Sequence, residues 1–362
     1  MKGRVKYCDS LKAISIILVI LIHVFAIYRD LYINSNRVYY AILSFGDSFT
    51  RVAVPIFFMI TGIFMLNKKP EKSYKEYFWK RIPKLVIPFL IFSIIYYIYE
   101  AYKVNEPLSL LYFLQTFTTY GGFKYHFWFM YEIIRVYLLI PFISILVKGL
   151  TKKDLKTLIT LIFVMGNVIS FIQLFSWRYN LNLFKGIALS NLTICINYLL
   201  LGYYLYKYDI KKETRKKIYI LGIISIILMP IFDLLYIDNM RNDAVFTISS
   251  IFPIFPSMSI FLLFKYNYDK IKIPAIIEKA TNKIAANSLY IYMIHVIVLE
   301  YVNKYLQKII TPNRFIKALL LIILVLVLTV ILSYIGAIIF DYIYRWISKG
   351  LSKLWSKKKI TN

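Results

Sequence analysis

Long apolar runs parted by short basic loops constrain this chain more than any other feature of its sequence. Ten of them approach twenty residues, at 10–28, 48–66, 83–101, 127–147, 157–176, 187–206, 218–236, 245–264, 285–303 and 318–343. A helix of about 20 residues crosses the roughly 30 Å hydrocarbon core of a bilayer. Lipid cannot satisfy an exposed backbone amide, so the helix is the form such a run takes. The expected fold is an all-α integral membrane protein: about ten transmembrane helices in one bundle, a single domain over 1–362 with a short basic tail from about 346. Composition closes the soluble route, because 60% of the residues are hydrophobic against about 45–50% in soluble domains. The stretch from Leu11 to Ile27 is longer than a signal-peptide core and carries His23, so it is read as the first retained span.

Forty-five lysines and arginines against 18 acids give a net charge of +27, a balance that by itself would suggest nucleic acid. Placement argues otherwise. The basic residues gather at the N-terminus, in alternate loops that include Lys68 to Lys84, Lys148 to Lys156, Lys207 to Lys217 and Lys265 to Lys283, and in the tail. By the positive-inside rule these loops and both termini are expected in the cytoplasm. The partner implied by the charge is therefore membrane lipid, with no nucleic acid. Abundant Lys, Ile and Tyr fits a bacterium of low genomic GC, so the expected location is the bacterial plasma membrane. Cys8 and Cys195 have no companion thiol and are read as structural.

Ionisable side chains inside a membrane are costly and are functional candidates for that reason. All three histidines, His23, His126 and His295, fall in a span or at its mouth, and imidazole, with a reference pKa of about 6.5, can accept a hydroxyl proton. Their wide spacing, with no carboxylate or thiol pair beside them, argues against a metal site. Glu132 and Arg135 stand i,i+3 on the fourth span, and Asp47 and Arg51 stand i,i+4 at the outer start of the second. These pairs either stabilise their helices or, with Glu100, line an outward-facing polar vestibule. At the foot of the third span lie Lys80, Arg81 and Lys84. Orientation and anionic lipid alone account for such cations; a clamp on the phosphates of an anionic cosubstrate is the functional alternative.

Five blocks along the chain carry a further signal. Arg4-Val-Lys-Tyr-Cys-Asp9-Ser-Leu-Lys12 leads into the span that ends at His23, and Arg51-Val-Ala-Val-Pro-Ile-Phe-Phe-Met-Ile-Thr-Gly62 opens the second. Arg81-Ile-Pro-Lys84 with Pro88, then His126-Phe-Trp128-Phe with Tyr137 and Pro141, and finally Ser288-Leu-Tyr-Ile-Tyr-Met-Ile-His295 complete the series. In this order they resemble the type-three membrane acyltransferases, O-acetyltransferase-like enzymes of sugars and polysaccharides, across nearly the whole chain. Lys12 stands where that family usually has a second Arg, and Thr61 where Ser is usual. The family's glutamate five or six residues after the tryptophan falls here on Ile133 and Ile134, which leaves Glu132 out of step.

The resemblance implies acyl-CoA, chiefly acetyl-CoA, as cosubstrate without a bound cofactor, and a hydroxyl of a cell-envelope sugar, polysaccharide or glycolipid as acceptor. It implies His23 as general base, with His126 and His295 as further catalytic candidates. Arg81, Lys84, Lys80, Arg4 and Lys12 would bind acyl-CoA. Asp9, Arg51, Trp128, Glu132, Arg135 and Tyr137 would contact acceptor or oxyanion, or serve structure. The rival is a polysaccharide or lipid-linked sugar transporter or flippase whose intramembrane charges line a path without covalent chemistry; it predicts discontinuous helices and half-molecule symmetry. The sequence leaves the oligomeric state open.

Overall fold

A computed structural model describes residues 5–68, 73–178, 181, 183–184, 186–187, 189–236, 244–312 and 315–358. Every regular element among the described residues is helical. In chain order these are α1 (Lys6–Asp30), α2 (Arg37–Ser48), α3 (Ala53–Leu66), α4 (Tyr74–Arg81), α5 (Pro83–Val104), α6 (Leu110–Thr118), α7 (Trp128–Gly149) and α8 (Lys152–Phe163). There follow α9 (Ile169–Arg178), α10 (Asn191–Lys207), α11 (Lys212–Tyr236), α12 (Ile254–Asn267), α13 (Ala275–Ile309) and α14 (Phe315–Lys358). Among the described residues, eight stretches are long and apolar enough to cross a membrane: Lys6–Asp30, Arg37–Leu66, Tyr74–Val104, Tyr125–Gly149, Lys152–Leu174, Lys212–Leu235, Ala275–Ile309 and Phe315–Ile347.

The two remaining runs fold into shorter helices, α10 of 17 residues and α12 of 14, about 25 and 21 Å long. The run read as 245–264 opens with irregular chain, a 3-10 turn at Ala244–Phe246 and bends up to Pro253. Non-helical backbone at such depth persists only where protein satisfies it. The buried Asn167 amide does so here, donating to the carbonyls of Ile248 (3.1 Å) and Ser250 (2.9 Å). Asn167 itself sits in a π-turn, Val164–Val168, that interrupts the fifth run between α8 and α9. At the other end of the chain, the segment beyond 346 continues α14 as helix to Lys358.

Packing follows helical period. The buried face of α13 carries Ala285, Ser288, Tyr292, His295, Leu299, Val302 and Leu306, spaced by three or four residues as one stripe of a helix requires. This stripe meets α1, and α14 packs along α13. At the centre, α3 and α10 approach backbone to backbone, because a Cβ on Gly62 would collide with the Leu199 carbonyl and one on Gly202 with that of Met59. Small residues permit such close crossings where lipid gives no hydrophobic drive for association. Toward lipid, α14 presents Ile323, Val327, Ile331, Ile335 and Ile338. Cys8 and Cys195 are both buried thiols.

Candidate active site

Helical period on α13 brings His295 into the core, and α1 carries His23 to the same level. The rings stack with centroids 5.2 Å apart. His126 arrives on a 3-10 turn, Tyr125–Phe127, that leads directly into α7, and its ring meets His295 edge-on at 5.1 Å. Three histidines separated by up to 272 positions thus share one cluster. His295 Nδ1 lies 2.6 Å from the Tyr292 carbonyl. A carbonyl only accepts, so Nδ1 carries the proton and Nε2 is the basic nitrogen. The Tyr292 hydroxyl in turn donates to the His126 carbonyl, tying the turn to α13.

Beside this cluster opens a cavity of about 500 Å³. His23 and His126 line it with Arg51, Trp128, Tyr120 and Tyr125, and the irregular segment after Ala244 supplies Phe246 to Ser249. His23 is half-buried, whereas His126 and His295 are buried. The turn carrying His126 is braced by an ion-pair cluster at its start. Lys124 Nζ pairs with Glu100 at 2.7 Å and with Glu300 at 2.5 Å. Burial alone would lower the pKa of that ammonium, but the two carboxylates outweigh it and the net shift is upward.

Arg51 is held by a charge network that the sequence reading did not assemble. Its Nε donates to Asp47 Oδ1 at 2.9 Å, and its Nη2 pairs with Asp47 Oδ2. Arg29, fully buried at the end of α1, donates to Asp47 (3.1 Å) and lies 3.8 Å from Asp233 of α11. Tyr40 and Ser44 each donate to Asp233 at 2.8 Å. Two guanidinium groups balance two carboxylates, which is how buried charge is tolerated. Phe246 lies under both, 4.8 Å from Arg29 and 4.5 Å from Arg51. A signal for this network was present: Asp233 falls inside an apolar run, where an acid is expensive.

The other candidates lie apart from the cavity. Glu132 sits behind its wall, accepting from the Tyr120 hydroxyl at 3.0 Å, with the exposed Arg135 at 3.3 Å. Tyr137 lies nine residues along α7 from Trp128, about 13 Å, and its carbonyl accepts from Tyr77 on α4 (2.9 Å), one turn before Arg81. Lys80 pairs with Glu76 on the exposed face of α4 at 2.7 Å, and Lys84 is exposed. Lys12 and Asp9 are half-buried on α1, with Lys12 about 16 Å along the axis from His23. Arg4 lies outside the described residues. Lys12, and Arg81 beside Tyr137, therefore stand about half a membrane thickness from the histidines.

A family model described as an acyltransferase domain matches residues 5–338. No curated protein and no solved structure matches the chain.

Proposed function

Because the chain belongs to acyltransferase family 3 and is an O-acyltransferase with several membrane-crossing helices, we propose that it moves an acyl group, acetyl foremost, from acyl-CoA to a hydroxyl of a cell-envelope sugar, polysaccharide or glycolipid. The observation that carries this reading is the convergence of His23, His126 and Arg51 on one cavity, with Arg81 and Lys12 half a membrane away. In this scheme the donor phosphates rest among the basic residues, and the phosphopantetheine arm extends along the bundle interior toward the histidines. His23 takes the proton from the acceptor hydroxyl as its oxygen attacks the thioester carbonyl. Arg51, its guanidinium plane fixed by Asp47, faces the charge that develops on the carbonyl oxygen. When the C–S bond breaks, the thiolate recovers the proton from the imidazolium, leaving an ester and free CoA. Interrupted helices such as the α8–α9 run are what the transport reading expected, but family membership favours group transfer.

The finer architecture belongs to the same proposal: ten spans, with α10 and α12 as short crossings, both termini in the cytoplasm and the histidine cavity toward the outer face of a bacterial plasma membrane. Reporter fusions after Lys152, Lys212 and Lys272 then read cytoplasmic, and fusions at Asn34 and Glu106 read external. A cytoplasmic signal at Glu106 would overturn the orientation. The chemistry is tested by acetyl-CoA turnover with purified protein across a panel of glycolipid and polysaccharide acceptors. Acceptor-dependent release of CoA with ester formation is expected; transport of an unmodified glycolipid without CoA release would overturn the reading.

A further inference from the structure

A second cavity, of about 640 Å³, lies away from the histidines at the lysine-bearing end of the bundle. Its floor is formed by Leu201 and Leu205 of α10 and by Phe255 and Met258 of α12. Its walls are α8, with Ile159 and Phe163, and α11, with Ile218. Both wall helices turn apolar side chains outward: Leu161, Val164 and Met165 beside α8, and Ile220 and Ile224 on α11 are exposed. The cavity is thus a lateral groove between two lipid-facing helices. Four lysines, Lys152, Lys153, Lys156 and Lys211, ring its mouth. Asp209, the one acid among the described lining residues, is paired with Lys265 at 3.4 Å. From Lys152 to Phe163 the groove runs eleven residues along one helix, about 16 Å, which is close to one leaflet of a roughly 30 Å hydrocarbon core.

We infer that this groove holds an anionic phospholipid of the adjoining leaflet, its headgroup phosphate among the four lysines and an acyl chain lying along α8 and α10. Charge complementarity selects the headgroup, since lysines near a membrane surface attract anionic lipid. The match between groove depth and leaflet thickness selects a lipid standing in the bilayer over a soluble anion. The inference is independent of the chemistry assigned to the histidines.

The test uses the full chain in nanodiscs of phosphatidylcholine mixed with phosphatidylglycerol, followed by gentle detergent release and native mass spectrometry of retained lipid. The wild type is expected to keep one phosphatidylglycerol and to exclude phosphatidylcholine. Lys152→Glu/Lys153→Glu/Lys156→Glu should weaken retention by more than about tenfold. Thr160→Trp, which fills the groove and leaves the lysines in place, should abolish it. All four positions are exposed, so both variants are expected to fold, and thermal unfolding checks this. Equal retention in all three proteins, or equal retention of phosphatidylcholine, would overturn the inference. Displacement of the bound lipid by equimolar palmitoyl-CoA would also overturn it, reassigning the groove to the acyl donor.

Discussion

The histidine cavity lies at the start of α7 and the Arg81 region beside its middle, and they are built by different rules. Around the histidines three elements are pinned: His295 by a backbone carbonyl, Arg51 by Asp47, and the turn of His126 by Tyr292 and Lys124. In the Arg81 region, Lys84 is exposed and Lys80 is occupied with Glu76 across an exposed helix face. Bond making needs atoms aligned to within a fraction of an ångström, which favours short, buried, mutually bracing contacts. Capturing a polyanion needs charge within a few ångströms, and flexible lysines supply that without a fixed geometry. The contrast supports chemistry in the first region and electrostatic capture in the second.

Substitutions can break this contrast, and the largest effect is expected at His23. Replacing it with Ala should lower turnover by about 10²–10⁴-fold while leaving membrane yield and the KM for acetyl-CoA unchanged. A near wild-type rate, with His126→Ala inactive, would move the base to the mouth of α7. Next comes Arg29→Ala, which leaves Asp47 and Asp233 buried without their shared cation. Its expected cost is about 3–5 kcal/mol, read as a lowered unfolding temperature in detergent, and an unchanged temperature would remove the network from its supporting role. Arg81→Ala should raise the KM for acetyl-CoA by about tenfold to 150-fold through loss of a charge-assisted contact, with kcat held. A fall in kcat at constant KM would place Arg81 in the chemistry and erase the distinction between the two regions. The smallest change is expected from Lys80→Ala, less than about threefold in KM, because an exposed i,i+4 partner already occupies that ammonium. A loss as large as that of Arg81→Ala would show that Lys80 leaves Glu76 to bind the donor.

Much of the molecule was legible in its sequence. Apolar runs near twenty residues located the membrane-crossing helices, because the thickness of lipid fixes the length of helix that satisfies its own backbone. The pairs Glu132–Arg135 and Asp47–Arg51 were readable from i,i+3 and i,i+4 spacing and are found in contact. Hydropathy marks the runs at 187–206 and 245–264 as spans like the others and cannot disclose that the second begins as irregular chain. That feature depends on Asn167, some eighty residues earlier, satisfying two carbonyls.

The sequence by itself determined a helical membrane protein of acyltransferase type, since hydropathy, charge placement and short motifs are local and survive without a fold. Only the tertiary structure decided that His23, His126 and His295 meet, that Arg29 and Asp233 complete the support of Arg51, and that Tyr120 joins the cavity wall to Glu132. The physical reason is that helix period sets which face a residue occupies, whereas the partner it meets depends on which helices cross, at what depth and in what rotation. Those quantities are set by packing over the whole bundle, including the close crossing of α3 and α10 that Gly62 and Gly202 permit.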